Sequence, residues 1–364
     1  MAPDDDDLKL DGDVPDDEQE IVKVSYEITS FGSDPEVESL VGRLRKGNIV
    51  IPPFQRNYVW RQPEASRFVE SLLLGLPVPG VFLAVDPATN KQVVLDGQQR
   101  LKTLQFYLDG VFNPKEGDVT QRVFKLTKVQ PQFEGKSYAE LEESDRIRLD
   151  TSVIHATVIR QTAPDDDDTS LFHVFERLNS VGTKLSPQEM RVALYHGKLV
   201  DTVKALNQTP EWRKIFGKIN NRLKDQELII RFFALFENHA DYSRPMSEFL
   251  NRYVKRNRTL DDQRLATLSD LFVSAVSLFD KALPEKPFRL TNAINVSVFD
   301  SCMVGIANRL VSDPKNVPTT QAVANAYEKL LKDDRYLEAV SRSTADDAFV
   351  KRRVNKAIDA FSKI

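Results

Sequence analysis

The sequence predicts an α+β protein, with a small mixed N-terminal domain followed by a mostly α-helical domain. Three observations carry that reading. Val81 to Val85 and Val93 to Leu95 are short β-prone runs joined by Pro87-Ala88-Thr89-Asn90, the pattern of a hairpin. The second run then meets an Asp96-Gly97 break, after which Leu101, Leu104 and Leu108 recur at helical spacing, so strand passes through a tight turn into helix. Beyond about Ser170 the apolar residues repeat with helical spacing, segment after segment. The expected division is an acidic tail over 1–20, a mixed domain over 21–165 and a helical domain over 166–364.

The 364 residues allow two ordinary cores, and 41% hydrophobic with 29% charged residues is the composition of a globular protein. A formal charge of −4 excludes a global basic field that would gather nucleic acid. Much of the acidity is local, in Asp4 to Asp7, Asp11 to Glu20 and Asp165 to Asp168, so a local DNA groove stays compatible with the balance. Cys302 is the one cysteine, which excludes an intramolecular disulfide and a Cys-rich zinc site and fits a reducing compartment. With no N-terminal targeting pattern and no apolar run long enough to span a bilayer, the chain reads as cytoplasmic, with no membrane partner.

In chain order, Met1 to Glu20 lacks large apolar residues and reads as a solvated, disordered tail. Val37, Leu40, Val41 and Leu44 make a short amphipathic helix that stops near Gly47. Ile49 to Ile51 is strand-like, and Pro52-Pro53 ends it, making Phe54 to Trp60 an ordered loop. Pro63 opens a helix through Phe68, Val69, Leu72 and Leu73 that ends near Gly75. After the hairpin and its helix the signal weakens. Val123 to Leu126 reads as a strand, Tyr138 to Leu149 as helix and Val153 to Ile159 as strand, with an acidic loop at Ala163 to Asp168. A helix from Ser170 with Leu171, Val174, Phe175 and Leu178 on one face breaks at Asn179 to Thr183. Ser186-Pro187-Gln188-Glu189 then supplies a Ser cap, a first-position Pro and a capping-box Glu. Further helices are expected over Val200 to Leu206, Glu227 to Phe236, Phe249 to Val254, Leu260 to Phe279, Val298 to Leu310, Ala322 to Leu331 and Ala348 to Phe361.

Two stretches carry candidate chemistry. In Asp96-Gly97-Gln98-Gln99-Arg100 the polar residues open a helix, whose first-turn N–H groups and partial positive charge favour an anion such as phosphate. Arg100 adds a forked cation, Gly97 permits close approach, and Gln98 and Gln99 offer both donors and acceptors. Asp96 is able to cap the helix, hold a metal or orient water. Taken alone, the pattern is met better by a capping Asp and a solvated Arg, because Asp-Gly before a helix is common. The upstream loop shifts that balance, because Phe54, Tyr58 and Trp60 are interleaved with Gln55, Arg56 and Asn57. Its aromatics suit core packing and base stacking equally, and Arg56 suits the surface or a phosphate. Asn179 and Gly182 are accounted for by a turn between two helices. His155, His173, His196 and His239 are scattered, with none after His239, so a C-terminal His-Asn-His nuclease module is not encoded in these residues. A Walker-type phosphate loop, a nucleophile elbow and a His-Glu-x-x-His zinc motif are all missing from the sequence.

Together, Ile51 to Trp60, Asp96 to Arg100 and Phe175-Glu176-Arg177-Leu178-Asn179-Ser180-Val181-Gly182-Thr183-Lys184-Leu185-Ser186 resemble the N-terminal domain of GmrSD-type modification-dependent restriction enzymes, in that family's order. The resemblance implies a ParB/sulfiredoxin-like domain followed by helices, serving nucleoside-triphosphate binding and hydrolysis in bacterial defence against foreign DNA. It further implies a nucleotide site of Asp96, Gln98, Gln99 and Arg100, completed by Gln55 and Arg56 and approached by Asn179 and Thr183. Tyr58, Trp60 and Gly97 line the same site on this reading, with Asp96 as ligand of Mg²⁺ or another divalent cation. Many relatives continue into a His-Asn-His nuclease domain, so a separate nuclease subunit becomes an expected partner beside DNA and a second copy of the chain. The rival readings are a nucleotide or modified-DNA sensor without turnover, and a metal-dependent nuclease acting through these carboxylates.

Overall fold

The computed structural model of the chain describes residues 27–51, 58–86, 89–114, 121–163, 186–285 and 287–364, together with Leu10 and Val174. The chain divides into two compact units, Ser25–Leu185 and one that contains Ser186–Ile364.

The first unit is the mixed domain. Its elements are β1 (Glu27–Ser33), α1 (Val37–Arg45), β2 (Ile49–Val50), α2 (Gln62–Leu73), β3 (Val81–Val85), β4 (Gln92–Asp96), α3 (Gln98–Asp109), α4 (Glu143–Asp150) and β5 (Ala156–Ala163). They build a five-stranded sheet in the order β1-β5-β3-β4-β2. The hairpin expected from Val81 to Leu95 is present, β3 pairing antiparallel with β4. β4 also pairs parallel with β2, and β3 parallel with β5. β4 has a strand on each side, and Val93, Val94 and Leu95 are buried in succession, so side chains on both faces of this strand are covered. Val37, Leu40 and Val41 of α1, Val69 and Leu73 of α2, and Leu101 and Leu104 of α3 close over the sheet as one core.

Two expectations are corrected here and one element is added. Val123 to Leu126 is not a strand; it makes a single bridge from Val123 to Val111. Phe124 and Leu126 are fully buried and hydrogen-bond instead to Gly110 and Lys136, so core packing produced the alternation. The helix expected over Tyr138 to Leu149 is split into a 3₁₀ turn, Tyr138–Glu140, and α4, because a capping box at Ser137 closes the first turn and Leu141 then turns extended. β1 was unforeseen. It is an edge strand paired only with β5, and Ile28 and Phe31 are exposed on it, so no alternation marked it.

The second unit contains α5 (Pro187–Leu194), α6 (Lys198–Leu206), α7 (Pro210–Phe216), α8 (Lys224–Asn238), α9 (Met246–Arg256), α10 (Asp262–Ala282), α11 (Val296–Ser312), α12 (Thr320–Leu330), α13 (Asp334–Ser341) and α14 (Asp347–Phe361). The Ser186 capping box is present, Ser186 Oγ accepting from Glu189 N while Glu189 accepts from Ser186 N. Trp212 sits at the centre of the core, its ring 5.3 Å from that of Phe299 and 5.8 Å from that of Phe272. α7 and α13 were unforeseen, being only two turns long. No helix among the described residues is long and apolar enough to cross a membrane.

Both units bury phenols. Burial pushes Tyr58 and Tyr242 up to about 12 from an ordinary 10.0. The folded state therefore holds these protons more tightly than the unfolded chain. Their contribution to stability is complete below pH 10 and is lost as pH rises towards 12. Alkaline titration should accordingly give tyrosinate absorbance from these groups together with loss of the helical circular-dichroism signal, not ahead of it.

Candidate functional site

β2 and β4 run parallel, so the chain leaving β2 and the turn leaving β4 emerge at the same end of the sheet. That end carries the start of α3. Gly97 is its N-cap, in the left-handed conformation with φ 100° and ψ 10°. Asp96 is the last residue of β4, one position too early to cap, and no side chain caps the helix. The orphan donors of the first turn therefore have no cap supplied by the motif.

Gly97 is also required by space. A Cβ there would lie 2.5 Å from Val81 Cγ1 and 3.3 Å from Arg100 Nη2, so the backbone threads between β3 and the guanidinium. Arg100 is not a solvated helix residue: its side chain is only 15% exposed, and Nη2 donates to Asp96 Oδ2 at 2.7 Å. Its Nε is buried with no hydrogen-bond partner. Asp96 is about half exposed, so the pair shows a solvent-facing carboxylate and a recessed cation. Lys102, one turn beyond Gln98, is half-buried, and that burial lowers its pKa. Gln98 itself is buried.

Gln99 faces the other way. Its Oε1 accepts from the backbone N–H of Val59 at 3.1 Å and of Trp60 at 3.4 Å. Thr103, one turn along, donates to the Gln99 carbonyl at 2.7 Å and accepts from the Tyr58 hydroxyl at 2.7 Å. The first two turns of α3 thus clamp residues 58 to 60, where the chain returns from the stretch that holds Gln55 and Arg56. The Tyr58 ring is buried edge-on to Phe106 and Phe112, and the Trp60 ring packs against Phe68. Of the two readings of these aromatics, the structure has core packing for both rings. Gln55, Arg56, Asn179 and Thr183 lie outside the described residues.

Sequence reading missed Thr103 and Val81. Thr103 follows Gln99 by four residues, which is a signal once the helix is placed. Val81 is found only through the β3–β4 register.

This arrangement is able to hold an anion between helix terminus and guanidinium, with a carboxylate beside it. No group of three or more His, Cys, Asp or Glu among the described residues is placed to hold a metal. Mg²⁺ ordinarily takes one or two carboxylates and fills its remaining positions with water and phosphate oxygens. Asp96 therefore fits an ion shared with a polyphosphate, not one caged by protein alone.

An uncharacterized protein of Methanocaldococcus jannaschii is 21% identical over an alignment of 344 residues, taking in 67% of this chain and 58% of the relative. This chain thus spans under two thirds of that relative's length. The model of the GmrSD restriction endonuclease N-terminal domain matches residues 37–196, from the first residue of α1 to just beyond α5. The matched part includes the sheet strands β2 to β5 and the whole Asp96 to Arg100 motif. Residues 37–196 accordingly belong to the GmrSD restriction endonuclease N-terminal domain family.

Proposed function

We propose that this protein binds and hydrolyses a nucleoside triphosphate as a component of a restriction or anti-phage defence system. The observation that carries this reading is the recessed Arg100, with Nε buried and unpartnered, beside a helix start that no side chain caps. Phosphate oxygens replace solvent at the first-turn N–H groups and at Arg100, where charge spread over the transferred phosphoryl is stabilised most strongly. Gln99, whose carbonyl oxygen is committed to Val59 and Trp60, positions the 58–60 segment. Gln98 and Asp96 orient the attacking water. Gln55 and Arg56 complete the phosphate contacts, with Asn179 and Thr183 approaching from the helical side. A divalent cation, when bound at Asp96, supplies neutralisation of the phosphate charge. DNA and a separate nuclease subunit are the partners through which turnover regulates cleavage.

One observation favours a second reading. Asp96 is paired with Arg100, so a site that kept this pair on binding nucleotide would sense it without turnover. Asp96→Ala separates the two. Retained nucleotide binding with loss of phosphate release supports the hydrolase, whereas unchanged binding in a wild-type protein that releases no phosphate supports the sensor.

Gln99→Ala tests the clamp. Two amides lose their acceptor, and since a hydrogen bond contributes about 1 kcal/mol, nucleotide affinity should fall by about fivefold to tenfold. Equilibrium binding of a fluorescent nucleotide analogue measures this, with Gln99→Glu, which keeps an acceptor oxygen, restoring most of the loss.

A further inference from the structure

The outer face of α3 is covered at one end and open at the other. Leu101, Thr103, Leu104 and Tyr107 are buried on the arc that meets the core. Gln98, Lys102, Gln105 and Asp109 follow one another at helical spacing on the remaining face. Along it Gln98 is buried, Lys102 and Gln105 are half-buried, and Asp109 is exposed and paired with Arg45. The cover therefore lies over the start of the helix, the end that carries Asp96 and Arg100.

Lys102 is the cation of that face. No hydrogen bond or ion pair joins it to another described residue, and burial by itself lowers its pKa. Helix geometry sets the path of its stem. A helical Cβ tilts towards the N-terminus, and long side chains run back over the preceding turn. With a rise of about 1.5 Å per residue, Lys102 stands about 6 Å along the axis from Gln98, a span that a lysine side chain covers. The ammonium thus falls level with the first turn, whose N–H groups no side chain caps. A desolvated ammonium without a counter-charge is unfavourable, and an anion at the helix start relieves it.

Arg100 stands on the other flank. Two residues make about 200° of helical turn, so Arg100 and Lys102 project to opposite sides of the axis. Arg100 is held on its side, with Nη2 2.7 Å from Asp96 Oδ2 and 3.3 Å from where a Cβ on Gly97 would lie. A single phosphate seated at Arg100 meets one cation. A chain of phosphates that crosses the helix start meets both.

We propose that Lys102 is the second cation of the site and selects for the length of the phosphate chain. It holds the phosphates of a nucleoside triphosphate that lie beyond the one held by Arg100. The inference rests on the nucleotide reading above and deepens it, giving the helix start a preference for polyphosphate over monophosphate.

The test is equilibrium binding to the full chain with Mg²⁺, using the β,γ-imido analogues of the four ribonucleoside triphosphates and then the monophosphate of the tightest base. Wild type is compared with Lys102→Met, Lys102→Arg and Arg100→Ala. Lys102→Met should weaken the triphosphate analogue by about tenfold or more, the effect of one hydrogen bond to a charged group, and the monophosphate by less than about twofold. Lys102→Arg should restore most of the loss, and Arg100→Ala should weaken both ligands. The melting temperature of Lys102→Met without nucleotide should stay at or above that of wild type, because the change removes a desolvated charge. An equal loss for both ligands in Lys102→Met, or no loss while Arg100→Ala abolishes binding, would overturn the role of Lys102 and leave the nucleotide reading in place. No binding of any analogue by the wild type would overturn both. Where Lys102→Met does not fold, Lys102→Gln decides by the same comparison, and a fall in melting temperature in both would make Lys102 a structural residue and overturn its role.

Discussion

Arg100→Ala is expected to lower nucleoside-triphosphate turnover by about 10²- to 10³-fold, the usual effect of deleting one preorganised donor to developing charge. The expectation rests on where the guanidinium sits. It is recessed over Gly97, tied to Asp96 through Nη2, and keeps its Nε unpartnered beside the start of α3. No other side chain of the Asp96 to Arg100 motif is a cation. The fold should tolerate the change. Asp96, the last residue of β4, is about half exposed and stays solvated without its partner, and an ion pair open to solvent contributes at most about 1 kcal/mol. Phosphate release and melting temperature, measured together, should therefore separate, the first collapsing and the second moving by a degree or two at most. A parallel loss of both would mean that Arg100 serves the fold.

Gly97→Val should be strongly destabilising to the first unit. A left-handed residue other than glycine costs about 1–2 kcal/mol. Forcing extra methyls into a packed position adds about 1–3 kcal/mol. Here the new Cβ alone would stand 2.5 Å from Val81 Cγ1, so β3 or α3 must move. Gly110→Val provides the control, because Gly110 is also left-handed, with φ 78°, but has nothing within 4 Å of an added Cβ. Thermal denaturation of the two variants should show Gly97→Val well below Gly110→Val. Equal losses would show that backbone strain alone matters and that Val81 does not constrain the turn.

Much of this was legible locally. The Asp96-Gly97 break, the Leu101, Leu104 and Leu108 spacing and the Ser186 capping box each rest on contacts within four residues, and the structure has all three features. The resemblance to the domain family was legible too, and the family match spans residues 37–196. What stayed hidden depends on distant partners. Gln99 reads as a ligand donor in sequence, yet its carbonyl oxygen is committed to amides forty residues away. Tyr58 reads equally as core and as a stacking surface in sequence, and Phe106 and Phe112, which decide for the core, lie some fifty residues away. β1 is an exposed edge whose side chains follow no core periodicity, so only its pairing with β5 identifies it.

The central claim is that the start of α3 binds and cleaves a nucleoside triphosphate. Phosphate release by the purified full chain from each of the four ribonucleoside triphosphates, with Mg²⁺ and beside Asp96→Ala and Arg100→Ala, tests it most directly. The account expects turnover of at least one nucleotide that both substitutions abolish while the folded state persists. Turnover that survives both substitutions, or none from any nucleotide with or without DNA, would contradict it.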